Sequence, residues 1–277
     1  MAYKSILTVL TDERQHKQLE SAIAMTRREE GHLDVFCLGV DHTQSGYYYA
    51  GASAYVFQES IDKAIAAAGE LEDKIRDRLK AEDIRWGVES AVAQIGGLST
   101  LVGMRARYAD LVVLSRPYCE GATPDAEAIT EAALFEGSAP VLIVPETLTE
   151  PFGKKVLIAW NQSSEALVAV RRALPLLQAA ESVEITVVDP SPHGPERSEP
   201  GAALCKMLTR HGVKAEIAVL ARTLPLVSEI LSRRATEIGA DMVVMGAYGH
   251  SRFRQAILGG ATRSMLEKAK VPVLMAR

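Results

Sequence analysis

The chain has 277 residues, 48% of them hydrophobic and 24% charged, with a net charge of −4. That length admits one large domain or two modest ones, and the apolar share excludes a disordered chain. The acidic balance argues against nucleic acid or an anionic membrane surface as a bulk partner.

The N-terminal stretch MAYKSILTVLTDERQ turns polar after a short apolar run. It is too short for a signal-peptide core with its cleavage site. No apolar run approaches the roughly 20 residues that a membrane span requires. The cysteines, Cys37, Cys119 and Cys205, are scattered and odd in number. They predict a reducing compartment without a disulfide framework. A cytoplasmic protein is expected.

In chain order, Ile6 to Leu10 reads as a buried strand, followed by an apolar period of three to four that predicts a helix. His32 to Val40 (HLDVFCLGV) reads as a second strand. The segment Asp41 to Gln58 then holds Tyr47, Tyr48, Tyr49 and Tyr55 among small residues. Two readings stand for it: an aromatic lid over a pocket or partner, or a plug that fills an interior gap. Ser60 to Lys80 predicts a helix, Trp86 to Gln94 a strand and Gly97 to Tyr108 a helix. DLVVL from Asp110 and SAPVLIVPE from Ser138 predict two more strands.

The same order then recurs. Val156 to Trp160 matches Ile6 to Leu10, DMVVM from Asp241 matches DLVVL, and KVPVLMAR from Lys270 matches SAPVLIVPE. Between them lie strands at Ser182 to Asp189 and Val213 to Ala221, and helices at Gly201 to His211 and Leu224 to Ile238. Strands alternating with helices imply parallel βαβ crossovers, hence an α/β fold. The reading is two tandem domains, 1–146 and 153–277, each an open doubly wound sheet of five strands. The linker is the Pro- and Thr-rich PETLTEPFG, Pro145 to Gly153.

Chemistry concentrates near the C-terminus. A strand ends at Met245 and Gly246; Gly249, Gly259 and Gly260 follow, then an amphipathic stretch opening with Ala261 and Thr262. Glycine permits close approach of backbone to an anion, and a helix N-terminus offers unpaired N–H groups with a positive dipole end. The segment is built like a phosphate cradle. It is not a P-loop, because no G-x4-G-K-[ST] occurs. A flexible connection with Thr262 as helix cap is the alternative.

Gly246, Gly249 and Gly259 form G-x2-G-x9-G, a pattern that resembles the nucleotide loop of the universal stress proteins. Gly260 stands where that family usually has Ser or Thr. With the repeat, the resemblance covers the whole chain as a tandem pair. It implies a fold like the adenine nucleotide α hydrolases, with the two halves forming an intramolecular pseudo-dimer. It implies an adenine nucleotide, ATP foremost, in the C-terminal half, with Mg²⁺ on its phosphates. Ala159, Trp160 and Asn161 after the first strand of that half, and Val188 and Asp189 after its second, match family positions beside base and ribose. Asn161 replaces the family's usual acid, and it also suits a helix cap, as Ser163 and Ser164 do. Asp189 also suits a turn before Pro190. His250, Arg252 and Arg254 lie within the glycine loop, as phosphate donors or as solvated charges.

The first half departs from the pattern. Ser115 and Tyr118 align with Gly246 and Gly249, and Glu127 and Glu131 crowd the following helix start. Carboxylates there repel phosphate, so this half reads as a degenerate site. Asp12 resembles the family acid and equally suits a turn. No nucleophile–base spacing or metal motif stands out. The expectation is a nucleotide-binding regulator acting on unknown protein partners, with room for a homodimer of tandem chains. A slow ATPase or autophosphorylating protein, with Thr262 or a nearby hydroxyl as acceptor, and a nucleotide-free scaffold are the alternatives. A side chain at Gly246 or Gly259 is expected to block phosphate and spare the fold.

Overall fold

The computed structural model describes residues 3–42, 54–145, 151–190, 199–248 and 260–277, with side chains from residue 58 onward in the second stretch. Strands and helices alternate as the apolar pattern predicts. The N-terminal order is β1 (Ser5–Leu10), α1 (His16–Glu29), β2 (His32–Asp41), α2 (Ala54–Leu79), β3 (Arg85–Gln94), α3 (Leu98–Ala106), β4 (Leu111–Ser115) and α4 (Ala126–Phe135). Next come β5 (Val141–Val144), β6 (Lys155–Ala159), α5 (Ser164–Ala179), β7 (Ser182–Val188), α6 (Ala202–Arg210), β8 (Ala215–Leu220), α7 (Val227–Ile238), β9 (Met242–Gly246), α8 (Ala261–Lys268) and β10 (Val273–Ala276). The fold is α/β with a mostly parallel sheet.

Helix α2 begins at Ala54, ahead of the Ser60 start that periodicity suggests. Ala54 to Gln58 holds neither Gly nor Pro, so a helix nucleated downstream propagates back through it at little cost. Tyr47, Tyr48 and Tyr49 lie outside the described residues, as does the Tyr55 side chain. The readings of that segment as lid or plug therefore stay as expectations.

The chain divides into two compact units, Ala2–Ala139 and Pro140–Arg277. In the first, the strand order is β3-β2-β1-β4, all parallel. In the second it is β5-β10-β9-β6-β7-β8. All its pairs are parallel except β5 with β10, where Val141 faces Met275 and Ile143 faces Val273. Strand β5 closes the first repeat in sequence, yet by contact it falls in the second unit, where it pairs with the last strand.

The central strands are covered on both faces, which explains their unbroken apolar runs. Leu111, Val112 and Val113 in β4 and Leu157 and Ile158 in β6 are fully buried. Burial of such side chains stabilises by about 1.5–3 kcal/mol each. Helix ends follow local chemistry. Ser163 caps α5, its hydroxyl accepting from the Ala166 N–H at 3.1 Å. Gly239, with φ of 64°, ends α7 in the left-handed conformation that costs glycine least. No helix among the described residues is long and apolar enough to cross a membrane.

Candidate functional site

In an open α/β sheet, ligands bind beyond the carboxyl ends of the strands where the order reverses. In the C-terminal unit that place lies between β6 and β9, with β7 beside it. A cavity of about 90 Å³ sits there. Of the candidate residues, Ala159, Trp160, Asn161, Val188, Met245, Gly246 and Ala261 line it. Thr186, Val227 and Leu231 line it too and were not singled out in the sequence. Thr186 lies two residues before Val188 and so on the same face of β7. Val227 and Leu231 are four apart on α7, one face of a helix. Those two spacings were the available signal.

The candidate residues outside that lining have other environments. Asp189 holds φ of 49°, and its N–H donates to the Leu220 carbonyl at 2.9 Å, so it turns the chain after β7. Thr262 is buried, and its hydroxyl accepts from the Tyr248 N–H at 3.2 Å. Gly260 is the N-cap of α8. Gly249 and Gly259 lie outside the described residues, as do His250, Arg252 and Arg254.

Asn161 closes a turn just ahead of α5, whose cap is Ser163. Its Oδ1 accepts from the Ser163 N–H at 3.2 Å and from the Ser163 hydroxyl at 2.7 Å. That leaves its Nδ2 donors without a partner among the described residues. Trp160 is 9% exposed, with its Nε1 buried and unpaired in the same sense.

Gly246 corrects one expectation. A Cβ there would lie 2.5 Å from the Ala166 nitrogen and 2.7 Å from the Glu165 carbonyl carbon. The missing side chain makes room for the first turn of α5. A larger residue would therefore strain the fold, contrary to the expectation that the fold would be spared.

The two units differ in charge at corresponding helix starts. Helix α8 has Gly260 at its cap, with neither a side-chain cap bond nor an acidic residue in its first turn. Its leading N–H groups and dipole favour an anion. Helix α4 has Asp125 at its cap and Glu127 in its first turn. Tyr118 donates its hydroxyl to Glu127 at 2.8 Å. Burial pushes the Asp125 carboxyl upward, and His42, 3.4 Å away, opposes this.

At the end of β4 the buried side chain of Gln18 closes the space. Its Oε1 accepts from the Ser115 N–H at 2.8 Å, and its Nε2 donates to Val9 O at 2.7 Å and Thr8 Oγ1 at 2.9 Å. Asp12 caps the short helical turn Glu13–Gln15 and pairs with Arg14, whose hydrogen bond holds its carboxyl below the ordinary range.

On β7, burial alone would raise the Glu184 carboxyl. Arg234 of α7, in a two-pronged bond at 2.9 and 2.7 Å, and the Thr186 hydroxyl together hold it below its ordinary value. Cys37 is buried, its thiol pushed up to about 12 mainly by that burial, so it is inert at neutral pH.

The C-terminal unit is an open, doubly wound α/β sheet with a helix start facing its switch point. Residues 153–277 match the model of the Universal stress protein family. A universal stress protein of Synechocystis sp. is 29% identical over 142 residues, covering 50% of this chain and 47% of that protein. The chain thus spans about half the length of the curated relative it matches.

Among solved structures, a universal stress protein from Archaeoglobus fulgidus superposes with a TM-score of 0.71 at 16% identity, covering 99% of this chain and 96% of its own. A functionally unknown protein from Pseudomonas aeruginosa PAO1 superposes with a TM-score of 0.61 at 16% identity, covering 99% and 92%. These two likenesses concern the fold of the whole chain.

Proposed function

We propose that the C-terminal unit binds an adenine nucleotide, ATP foremost, and that binding biases the protein's association with partners in a stress response. The observation that carries this reading is convergence. The ends of β6, β7 and β9 and the uncapped start of α8 meet at one cavity. In this reading the α8 N–H groups hold phosphate and the Asn161 Nδ2 donates to base or ribose. Mg²⁺ would be held by phosphate oxygens and water. The described residues contain no group of three or more His, Cys, Asp or Glu suited to a metal. The N-terminal half is read as a diverged second copy, closed to nucleotide by Gln18 and by the acidic start of α4.

A second reading, a scaffold free of nucleotide, has its own support. The cavity is about 90 Å³, well below the roughly 300–1,000 Å³ of ordinary small-molecule sites. Asn161 Oδ1 and Thr262 Oγ1 are already engaged.

The test is to denature the purified protein and measure released nucleotide, then titrate the protein with ATP and Mg²⁺. About one nucleotide per chain is expected. Ser115→Ala and Tyr118→Phe should leave affinity unchanged. Two nucleotides per chain would make the first unit a working site. None released and none taken up would leave the scaffold.

A further inference from the structure

The outer strands of the two units are finished differently. β3 exposes Arg85 and Glu89, and Glu89 is ion-paired with Arg105. Its Val88 is buried, and the long helix α2 packs on the strand. Charge and cover are the usual ways to keep an outer strand from pairing with another chain.

β8 has neither defence in full. Its sequence is AEIAVL, with Glu216 the one charge. Among the described residues no strand pairs beyond it. Ile217 and Val219 stand on one face, in register with the buried Ile185 and Val187. They are 40% and 52% exposed.

The main chain of β8 is open along the outer edge of the sheet. Val183 N donates to Lys214 O, and Asp189 N donates to Leu220 O. Alternation along a strand then points the even-numbered residues at β7 and turns the N–H and C=O of Ala215, Ile217 and Val219 outward. The Ala215 carbonyl accepts from the Cys205 thiol at 3.5 Å. The outward groups of Ile217 and Val219 have no strand partner among the described residues.

We propose that β8 pairs antiparallel with β8 of a second copy of this chain, about a two-fold axis at Ala218. In this register Ile217 of each copy lies opposite Val219 of the other, and each such pair exchanges both of its main-chain hydrogen bonds. The exposed apolar side chains then cover one another. Glu216 falls opposite Leu220, so the two carboxylates do not meet. Ala218 meets its own copy where opposed strands come closest, and its methyl fits there. A register centred on Ile217 would need the Ala215 carbonyl for Val219, and the Cys205 thiol already holds it.

The experiment uses the full chain in sedimentation velocity across a wide range of concentration. A reversible dimer is expected for the natural sequence. Val219→Lys should give a monomer with an unchanged circular dichroism spectrum, because the side chain it replaces is half exposed. Cross-linking fixes the register independently of that variant's folding. In a Cys119→Ser, Cys205→Ser background, Ala218→Cys should form an interchain disulfide under mild oxidation, and Glu216→Cys should not. A chain that stays monomeric throughout would overturn the proposal. So would a dimer that survives Val219→Lys, or a disulfide through Glu216→Cys in place of Ala218→Cys.

Discussion

At Gly246 strand β9 passes under the first turn of α5, with no space for a methyl group. Gly246→Ala is therefore expected to destabilise the fold by roughly 1–3 kcal/mol, the usual cost of overpacking. A urea unfolding curve checks this, and an unchanged midpoint would refute it. The sequence offered a glycine at a strand end, and both phosphate access and close packing call for that residue. Which one applies depends on where the absent Cβ points, and that direction is set by α5, some eighty residues earlier in the chain. Asn161 poses the same problem. Its type suits a cap and a ligand contact alike, and the 2.7 Å bond from Ser163 gives its Oδ1 to the turn before the helix, while Ser163 itself is the cap. Gln18 carried no signal at all, since a glutamine inside a helix usually faces water.

Elements were more legible than side-chain roles. Buried parallel strands read as continuous apolar runs, so β1, β4, β6, β9 and β10 stood out in the sequence. The outer strand β8 was found from its apolar length, but its exposure depends on how far α6 reaches, and α6 is short. Between elements, the bond of Glu184 to Arg234 ties β7 to α7. Glu184 has a folded-state pKa below its ordinary value of 4.5. Its contribution is therefore fully present above pH 4.5 and is lost as pH falls through the lowered folded value. Glu184→Gln should cost roughly 1 kcal/mol at neutral pH, since the pair is partly solvated. The difference from the natural protein should shrink as the solution is acidified below 4.5. Paired urea titrations at several pH values measure it; a gap that widens in acid would contradict the assignment.

For the molecule as a whole, the repeated order of strands was readable because each repeat presents the same apolar pattern in the same sequence. Where the chain divides in space was not. The linker composition drew the eye to Pro145–Gly153, while contacts place the division at 139/140. Within the second unit, β5 pairs with β10.

That pairing has a consequence for dissecting the chain. A fragment beginning at residue 153 holds every residue that the family model matches, yet it strips β10 of its β5 partner and bares a ladder whose side chains, Val273 to Met275, are wholly apolar and fully buried. Such a fragment is expected to self-associate into insoluble material, whereas one beginning at Pro140 keeps β10 paired with β5 and is expected to aggregate less. Light scattering of the two fragments after refolding distinguishes these outcomes, and equal solubility would show that β5 is dispensable. The border drawn by kinship and the border drawn by hydrogen bonds are different borders, and the strand between them is lent by one repeat to finish the other.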